Sequence, residues 1–375
     1  AMAFDGKVID RRGSIETDST LSDYTDIEHI YKRSIYPTLL FAEYNGYKLN
    51  IIDTPGADDF CGGLFSAFKV ADVGVMLINA QNGFEVGSEI QARYARSHDK
   101  PIIAVINQLD SEKASWEASL DSIRAASQVT PVVVQYPVNP GPDFNAFIDV
   151  LLMKMYKFKG DTGIREELDI PAEEMERATE LNRILTEAAA ENDEALMELY
   201  FEKGVLTQDE LRSGLKLGLA KRDLIPVFCA SGKRDIGAKR LMEFIINVAP
   251  GPLKAPNFVT VDGREIEPDS NGPTALFVFK TTVEPHLGEV TYFRVVSGKV
   301  TEGMELVNSK TGNKEKISQL FAVAGKNRVK VTEMMAGDIG CTVKLKGTRT
   351  NQTLSTPGSN IEIDPIRFPE PRYRV

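Results

Sequence analysis

The apolar run at 51–52 ends in Asp53-Thr54-Pro55-Gly56, and that junction limits the folds open to this chain. A strand ending in Asp-x-x-Gly sets a carboxylate and a bare backbone position at one edge of a sheet. Two later runs end in a comparable way. Asn107-Gln108-Leu109-Asp110 follows the apolar residues 102–106, and Ser231-Gly232 follows 225–228. Helical spacing at 88–97 and 238–248 separates such runs, and 73–79 is another. Short buried strands alternating with helices predict a doubly wound α/β sheet of the P-loop NTPase type. Ligands of such sheets lie at the carboxyl ends of the strands. Before them, 38–44 and 47–53 flank Asn45-Gly46, the strongest short signal for a hairpin.

About 120 residues separate Asp110 from Ser231, far more than one crossover needs. The spacing predicts an α+β insertion at about 128–222. It opens with a strand at 132–136, and Pro171 then starts a helix with apolar positions Met175, Ala178, Leu181, Leu185 and Ala188. Thr207-Gln208-Asp209-Glu210 reads as a capping box before Leu211. Residues 9–36 show no period and read as a mobile loop region. Residues 1–4 read as the end of a helix with no start signal. Pro250-Gly251-Pro252 opens a linker, after which only strand patterns follow, at 275–281, 290–296, 304–308, 316–321 and 338–345. Regular Gly-containing turns between them predict a small β-barrel over 257–368. The whole first part, 1–250, reads as one nucleotide-binding-type domain, and 369–375 as the start of another.

The net charge of −10 is concentrated. Residues 166–211 hold fifteen Asp or Glu against three Lys or Arg, so the remainder is near +2. No basic face marks a DNA-binding protein. No stretch reaches the ~20 apolar residues of a membrane span. Cys61, Cys229 and Cys341 lack metal-ligand spacing and read as reduced thiols in a cytoplasmic protein.

In a nucleotide site each loop has a distinct chemistry. Asp53 would hold Mg²⁺ through water, and Gly56 would let a backbone N–H reach a terminal phosphate. The Asp110 carboxylate would accept two N–H groups from guanine, a donor pair that adenine lacks. Asn107 would brace neighbouring loops and reach the base edge. Gln108 would lie along the base plane, and Ser231 and Gly232 would back the base with a backbone N–H.

On these residues the chain resembles elongation factor G, the ribosomal translocase. The likeness runs through 50–56, 107–110, Pro131-Val132-Val133-Val134-Gln135-Tyr136-Pro137, 147–154, 226–231, 294–298 and 336–339, and so covers nearly the whole chain. It implies GTP or GDP with Mg²⁺ in the intact protein. The implied partner is the factor-binding site of the ribosome, its RNA and proteins, and not DNA or a membrane. It also implies a phosphate loop before Ala1 and three domains after Val375. No Gly-x-x-x-x-Gly-Lys-Ser/Thr occurs within the 375 residues, so the chain alone is expected to carry no nucleotide.

Three positions depart from that family. Its catalytic histidine after Pro-Gly is here Ala57, its first-switch threonine is Tyr36, with Thr38 two residues on, and its base-plane lysine is Gln108. These departures imply a divergent paralogue with impaired GTP hydrolysis. A tetracycline-type ribosome-protection protein and a non-enzymatic ribosome-binding scaffold are the alternatives.

Overall fold

The computed structural model describes residues 1–284, 287–368 and 370. The expected start of a further domain at 369–375 lies outside them, apart from Glu370. In chain order come α1 (Met2–Asp5), α2 (Asp26–Tyr31), β1 (Thr38–Tyr44), β2 (Tyr47–Asp53), α3 (Gly62–Val70), β3 (Gly74–Asn79), α4 (Val86–Ser97), β4 (Ile102–Asn107) and α5 (Trp116–Ala126). Next are β5 (Thr130–Val133), β6 (Gln135–Pro137), β7 (Ala146–Asp149), β8 (Lys154–Phe158), β9 (Arg165–Leu168), α6 (Ala172–Ala190), α7 (Glu194–Lys203), α8 (Gln208–Lys221), β10 (Leu224–Cys229) and α9 (Ala238–Val248). Strands then follow: β11 (Phe258–Val259), β12 (Glu265–Ile266), β13 (Ala275–Glu284), β14 (Gly288–Ser297), β15 (Lys299–Thr301), β16 (Glu305–Asn308), β17 (Lys314–Lys316), β18 (Leu320–Ala324), β19 (Asn327–Val331), β20 (Glu333–Met335), β21 (Ile339–Val343) and β22 (Thr353–Ser355). Two compact units result: Ala1–Asp5 with Val73–Pro250, and Gly6–Asp72 with Gly251–Val375.

The first unit is built on a parallel sheet in the order β3-β4-β10-β5. The run expected as one strand at 132–136 is divided between two sheets. Thr130–Val133 pairs with β10, whereas Gln135–Pro137 pairs with β7 in an antiparallel sheet ordered β6-β7-β8-β9. Val134 joins them: its N–H donates to Val227 and its carbonyl accepts from Val150. One apolar cluster runs from Ile106 and Phe228 into Phe147, Leu185 and Leu215, so the insertion shares the core of the parallel sheet. The helix after Pro171 buries Ala178, Leu185 and Ala189. Met175, expected on the same stripe, is exposed. Thr207 and Glu210 form the expected capping box of α8. At Gly214 a Cβ would lie 2.5 Å from the Ala189 carbonyl, so glycine there permits the close approach of α6 and α8.

In the second unit β1 and β2 pair along their whole length, from Thr38↔Asp53 to Tyr44↔Tyr47. Asn45 (φ 48°) and Gly46 (φ 79°) make the left-handed turn that such a two-residue connection requires. The hairpin is a sheet by itself, so Asp53 does not end a strand of the parallel sheet. Phe41 packs on Ala322 and Ala324, and Lys48 meets Asp338 at 2.8 Å. Buried Arg294 ion-pairs with Asp72 at 2.8 Å and donates to the Val70 carbonyl, fixing the end of α3. Eight strands form one sheet in the order β17-β16-β22-β13-β14-β21-β18-β19. Leu306 of β16 and Leu320 of β18 belong to one core cluster, so this sheet curls around its own interior. The 316–321 run, expected as one strand, is instead the end of β17 and the start of β18.

The 9–36 segment holds a helix that its lack of period did not announce. In α2, Thr25 and Glu28 form a reciprocal cap.

Candidate nucleotide site

The base-side loops form one hydrogen-bonded assembly in the first unit. β4 and β10 run parallel, and Ala230 N–H donates to Ile106 while Leu109 N–H donates to Ala230. Asn107 Oδ1 accepts the Gly232 N–H at 3.0 Å, which is the bracing role expected of Asn107. Gln108 is exposed and left-handed (φ 64°), a conformation uncommon outside glycine. Leu109 is fully buried and anchors the loop. Asp110 is half-buried, and among the described residues its carboxylate makes no hydrogen bond or ion pair. An acceptor pair is thus held at a strand end beside a rigid neighbour loop.

Ser231 differs from expectation. Its N–H donates to Ile236 at 3.1 Å, Ile236 N–H returns the bond at 2.9 Å, and Ser231 Oγ accepts from Arg234 N–H. With the Gly232 N–H held by Asn107, both N–H groups expected to back the base are engaged inside the protein. The Ser231 N–H closes the 231–236 loop, and the Gly232 N–H links that loop to Asn107. Strand-end reasoning located the loop but could not show where its N–H groups go.

Arg234 escaped the sequence reading. Its Nε meets Asp161 Oδ1 at 2.8 Å, and Nη1 donates to the carbonyls of Pro142 (2.9 Å) and Phe144 (3.1 Å). Gly141 N–H donates to Leu109 at 2.7 Å. These bonds tie the insertion to both base-side loops. An arginine two residues beyond Ser-Gly was the only available signal.

Asp53 and Gly56 belong to the second unit. Burial raises the Asp53 pKa above the ordinary carboxylate value, and Asp23 and Glu28 push it the same way, against a hydrogen bond from Ser22. Burial likewise raises Asp23, whose Oδ1 has no hydrogen-bond partner. Glu28 is buried, but bonds from Thr25 Oγ1 and from the N–H groups of Ile35, Tyr36 and Thr25 outweigh that burial and hold its pKa low. The hard carboxylate oxygens of Asp53 and Asp23, one of them unpartnered and both groups raised chiefly by burial, suit a hydrated Mg²⁺. Asp53 would hold it, and Asp23 lies within its electrostatic reach.

Thr38 donates its hydroxyl proton to the Ser22 carbonyl at 2.9 Å, while Tyr36 is half-exposed and tethered through its backbone to Glu28. Gly56 is exposed, with no atom within 4 Å of where a Cβ would lie. Ala57 is extended and precedes a single 3-10 turn, Asp58–Phe60. Its methyl group has no proton to give or take.

Comparison with known proteins places these loops in a family. The elongation factor Tu GTP-binding domain matches residues 1–251, and elongation factor G domain 2 matches residues 273–357. Elongation factor G of Thermotoga maritima is 32% identical over 365 residues, which cover 96% of this chain and 53% of that protein. Elongation factor G of Thermotoga sp. strain RQ2 is 31% identical, covering 96% and 52%. A crystal structure of a protein from Thermus thermophilus superposes with a TM-score of 0.86 at 26% identity, covering 99% of this chain and 54% of the other. The chain spans about half the length of these relatives.

Proposed function

We propose, for a chain that belongs to the elongation factor G-like translational GTPases, that the intact protein binds guanine nucleotide and acts on the ribosome. Asp110 selects the base, Asn107 holds the two base-side loops together, and Asp53 holds Mg²⁺ through water. Gly56 offers its N–H to the terminal phosphate, and Gln108 lies along the base. The single observation that supports this best is the Asn107–Gly232 bond beside an uncommitted Asp110 carboxylate. When bound, Mg²⁺ would neutralise phosphate charge; the chain's own part is to orient the base and offer hard oxygens.

Ala57 supports a slow or lost hydrolytic step. Phosphoryl transfer depends on positioning and charge stabilisation, and a methyl group supplies neither. Ribosome binding rests on the family, with the elongation factor G domain 2 match as its local support. The test is competition binding of GTP and XTP to the intact protein and to its Asp110→Asn variant. The native protein should prefer GTP and the variant XTP, because the amide now presents a donor toward the base. An unchanged preference removes Asp110 from the base site. Absence of nucleotide binding in the native protein establishes the scaffold reading instead.

A further inference from the structure

The first unit also contains a cavity of about 240 Å³, on one face of the parallel sheet and away from the base-side loops. It is lined by Met76 and Ile78 of β3 and by the amino-terminal halves of β4 and β10, whereas Asn107 stands at the carboxyl end of β4. Met76, Ala104 and Ile225 lie on its floor, with Ala92 of α4 and Ile123 of α5 as walls. The short side chains Ala92 and Ala104, with Ala126, leave the space open between two helices that pack on the same sheet face. The interior is apolar.

The mouth is cationic. Arg96, Lys100, Lys221 and Arg222 line it, and no Asp or Glu is among the lining residues. Asp99, just outside, is engaged with Arg222 at 3.2 Å, and Lys221 Nζ donates to the Asn192 carbonyl at 2.8 Å. Arg96 is exposed and has no ion-pair partner among the described residues. These cations stand near the last turns of α4 and α8, where positive charge also complements the helix dipole. That effect accounts for cations at helix ends. It does not account for a deep apolar space behind them.

We propose that this cavity binds a small amphipathic carboxylate, its apolar body between α4 and α5 and its head group at Arg96. Its volume lies just under the ~300–1,000 Å³ of ordinary ligand pockets, which restricts it to a small ligand. An apolar interior with a few convergent charged groups at one end selects a molecule with one charged end. A neutral alcohol of the same length would leave the head-group attraction unused. A short acid would leave the apolar interior unfilled.

The probe is sodium octanoate, titrated into the full chain by calorimetry and by nitrogen-15 NMR, with octanol and acetate as controls. Octanoate should bind saturably with a Kd near or below ~1 mM, a modest affinity suited to a ligand of this size. Octanol and acetate should each bind at least about tenfold more weakly, as loss of a charge-assisted contact or of apolar burial implies. Ala92→Leu should abolish binding by filling the space. Because that change sits in the core, Arg96→Glu is the independent variant. It should lower stability by only the ~0.3–1 kcal/mol of an exposed helix-dipole contact and weaken octanoate about tenfold. The proposal is overturned if octanoate shows no saturable binding, if octanol binds equally well, or if Arg96→Glu changes stability but not octanoate affinity. In that last case the cations serve only the helix ends.

Discussion

Asn107 Oδ1 accepts the Gly232 backbone N–H at 3.0 Å across 125 residues of sequence, so one side chain links the loop after β4 to the loop after β10. Gly232 is exposed, and water can replace the acceptor if it is lost. Asn107→Ala should therefore lower stability by only ~0.5–1.5 kcal/mol, the net value of an ordinary hydrogen bond. Asn107→Asp retains an acceptor and should recover most of the loss. The check is urea unfolding of the two variants beside the native chain. Equal destabilisation by both would show that the amide N–H₂, rather than the Oδ1 acceptor, carries the effect.

Asp149 of β7 and Arg240 of α9 form the buried counterpart of that link. The carboxylate is fully buried and takes Arg240 Nη2 at 2.8 Å and Nε at 2.9 Å, with Gln135 Nε2 at 3.1 Å and the Leu152 N–H at 2.9 Å. Burial alone would lower the Arg240 pKa, but Asp149 and Glu243 outweigh it, and the guanidinium stays charged. Asp149→Ala leaves Glu243 as the remaining carboxylate on Arg240 and its Nε and Nη2 without an acceptor, at a cost of ~1–3 kcal/mol. Its urea midpoint should fall accordingly. A fall within ~0.5 kcal/mol, the range of surface changes, would mean that water reaches Arg240.

How far the sequence disclosed this architecture depended on whether the deciding contact was local. Asn45-Gly46 marked its hairpin to the residue, and Thr207-x-x-Glu210 marked the start of α8, because each signal lies within four residues of its effect. Thr25 and Glu28 carried the same capping signal for α2, but the surrounding segment has no apolar period to draw attention to it. The division of 132–136 between two sheets turns on Val134 bonding to Val227 on one side and Val150 on the other, which no local pattern encodes. The grouping of 6–72 with the β-rich part likewise rests on pairs such as Lys48–Asp338 and Asp72–Arg294. In the candidate site, strand-end position located Asn107, Asp110 and Ser231. The engagement of the Ser231 N–H and the tether at Arg234 required the fold.

Asp5 gives the first unit a pH-dependent stability. The Asp5 side chain is buried, and burial first, then the neighbouring Asp235, raise its pKa to about 6, while Lys239, 3.4 Å away, opposes them. A carboxyl group raised in the folded state binds a proton there that the unfolded chain has already released. Its contribution is present below the unfolded value, near pH 4, and is lost as pH rises toward about 6. Asp5→Asn should remove this slope, leaving a variant more stable than the native chain at pH 7 and close to it at pH 4. Chemical unfolding at pH 4, 5, 6 and 7 measures it. Parallel native and variant curves would show that Asp5 titrates alike in both states.

Ala57 yields the sharpest functional expectation. It follows Pro55-Gly56 directly, is extended, and offers only a methyl group where a water-orienting side chain would stand. Thr38 cannot readily replace that function, since its hydroxyl proton is directed at the Ser22 carbonyl. Asp58 and Asp59 are exposed, and as carboxylates they would repel a terminal phosphate. The intact protein should therefore hydrolyse GTP on ribosomes at least ~10²-fold more slowly than elongation factor G of Thermotoga maritima, the least that a lost general base or positioning group removes. Single-turnover hydrolysis with purified ribosomes provides the comparison, run with the native protein and with Ala57→His. A gain on introducing histidine would locate the defect at this one position. Native turnover equal to that of the comparison enzyme would refute the impaired-hydrolysis reading and direct attention to Asp58 as the group orienting water.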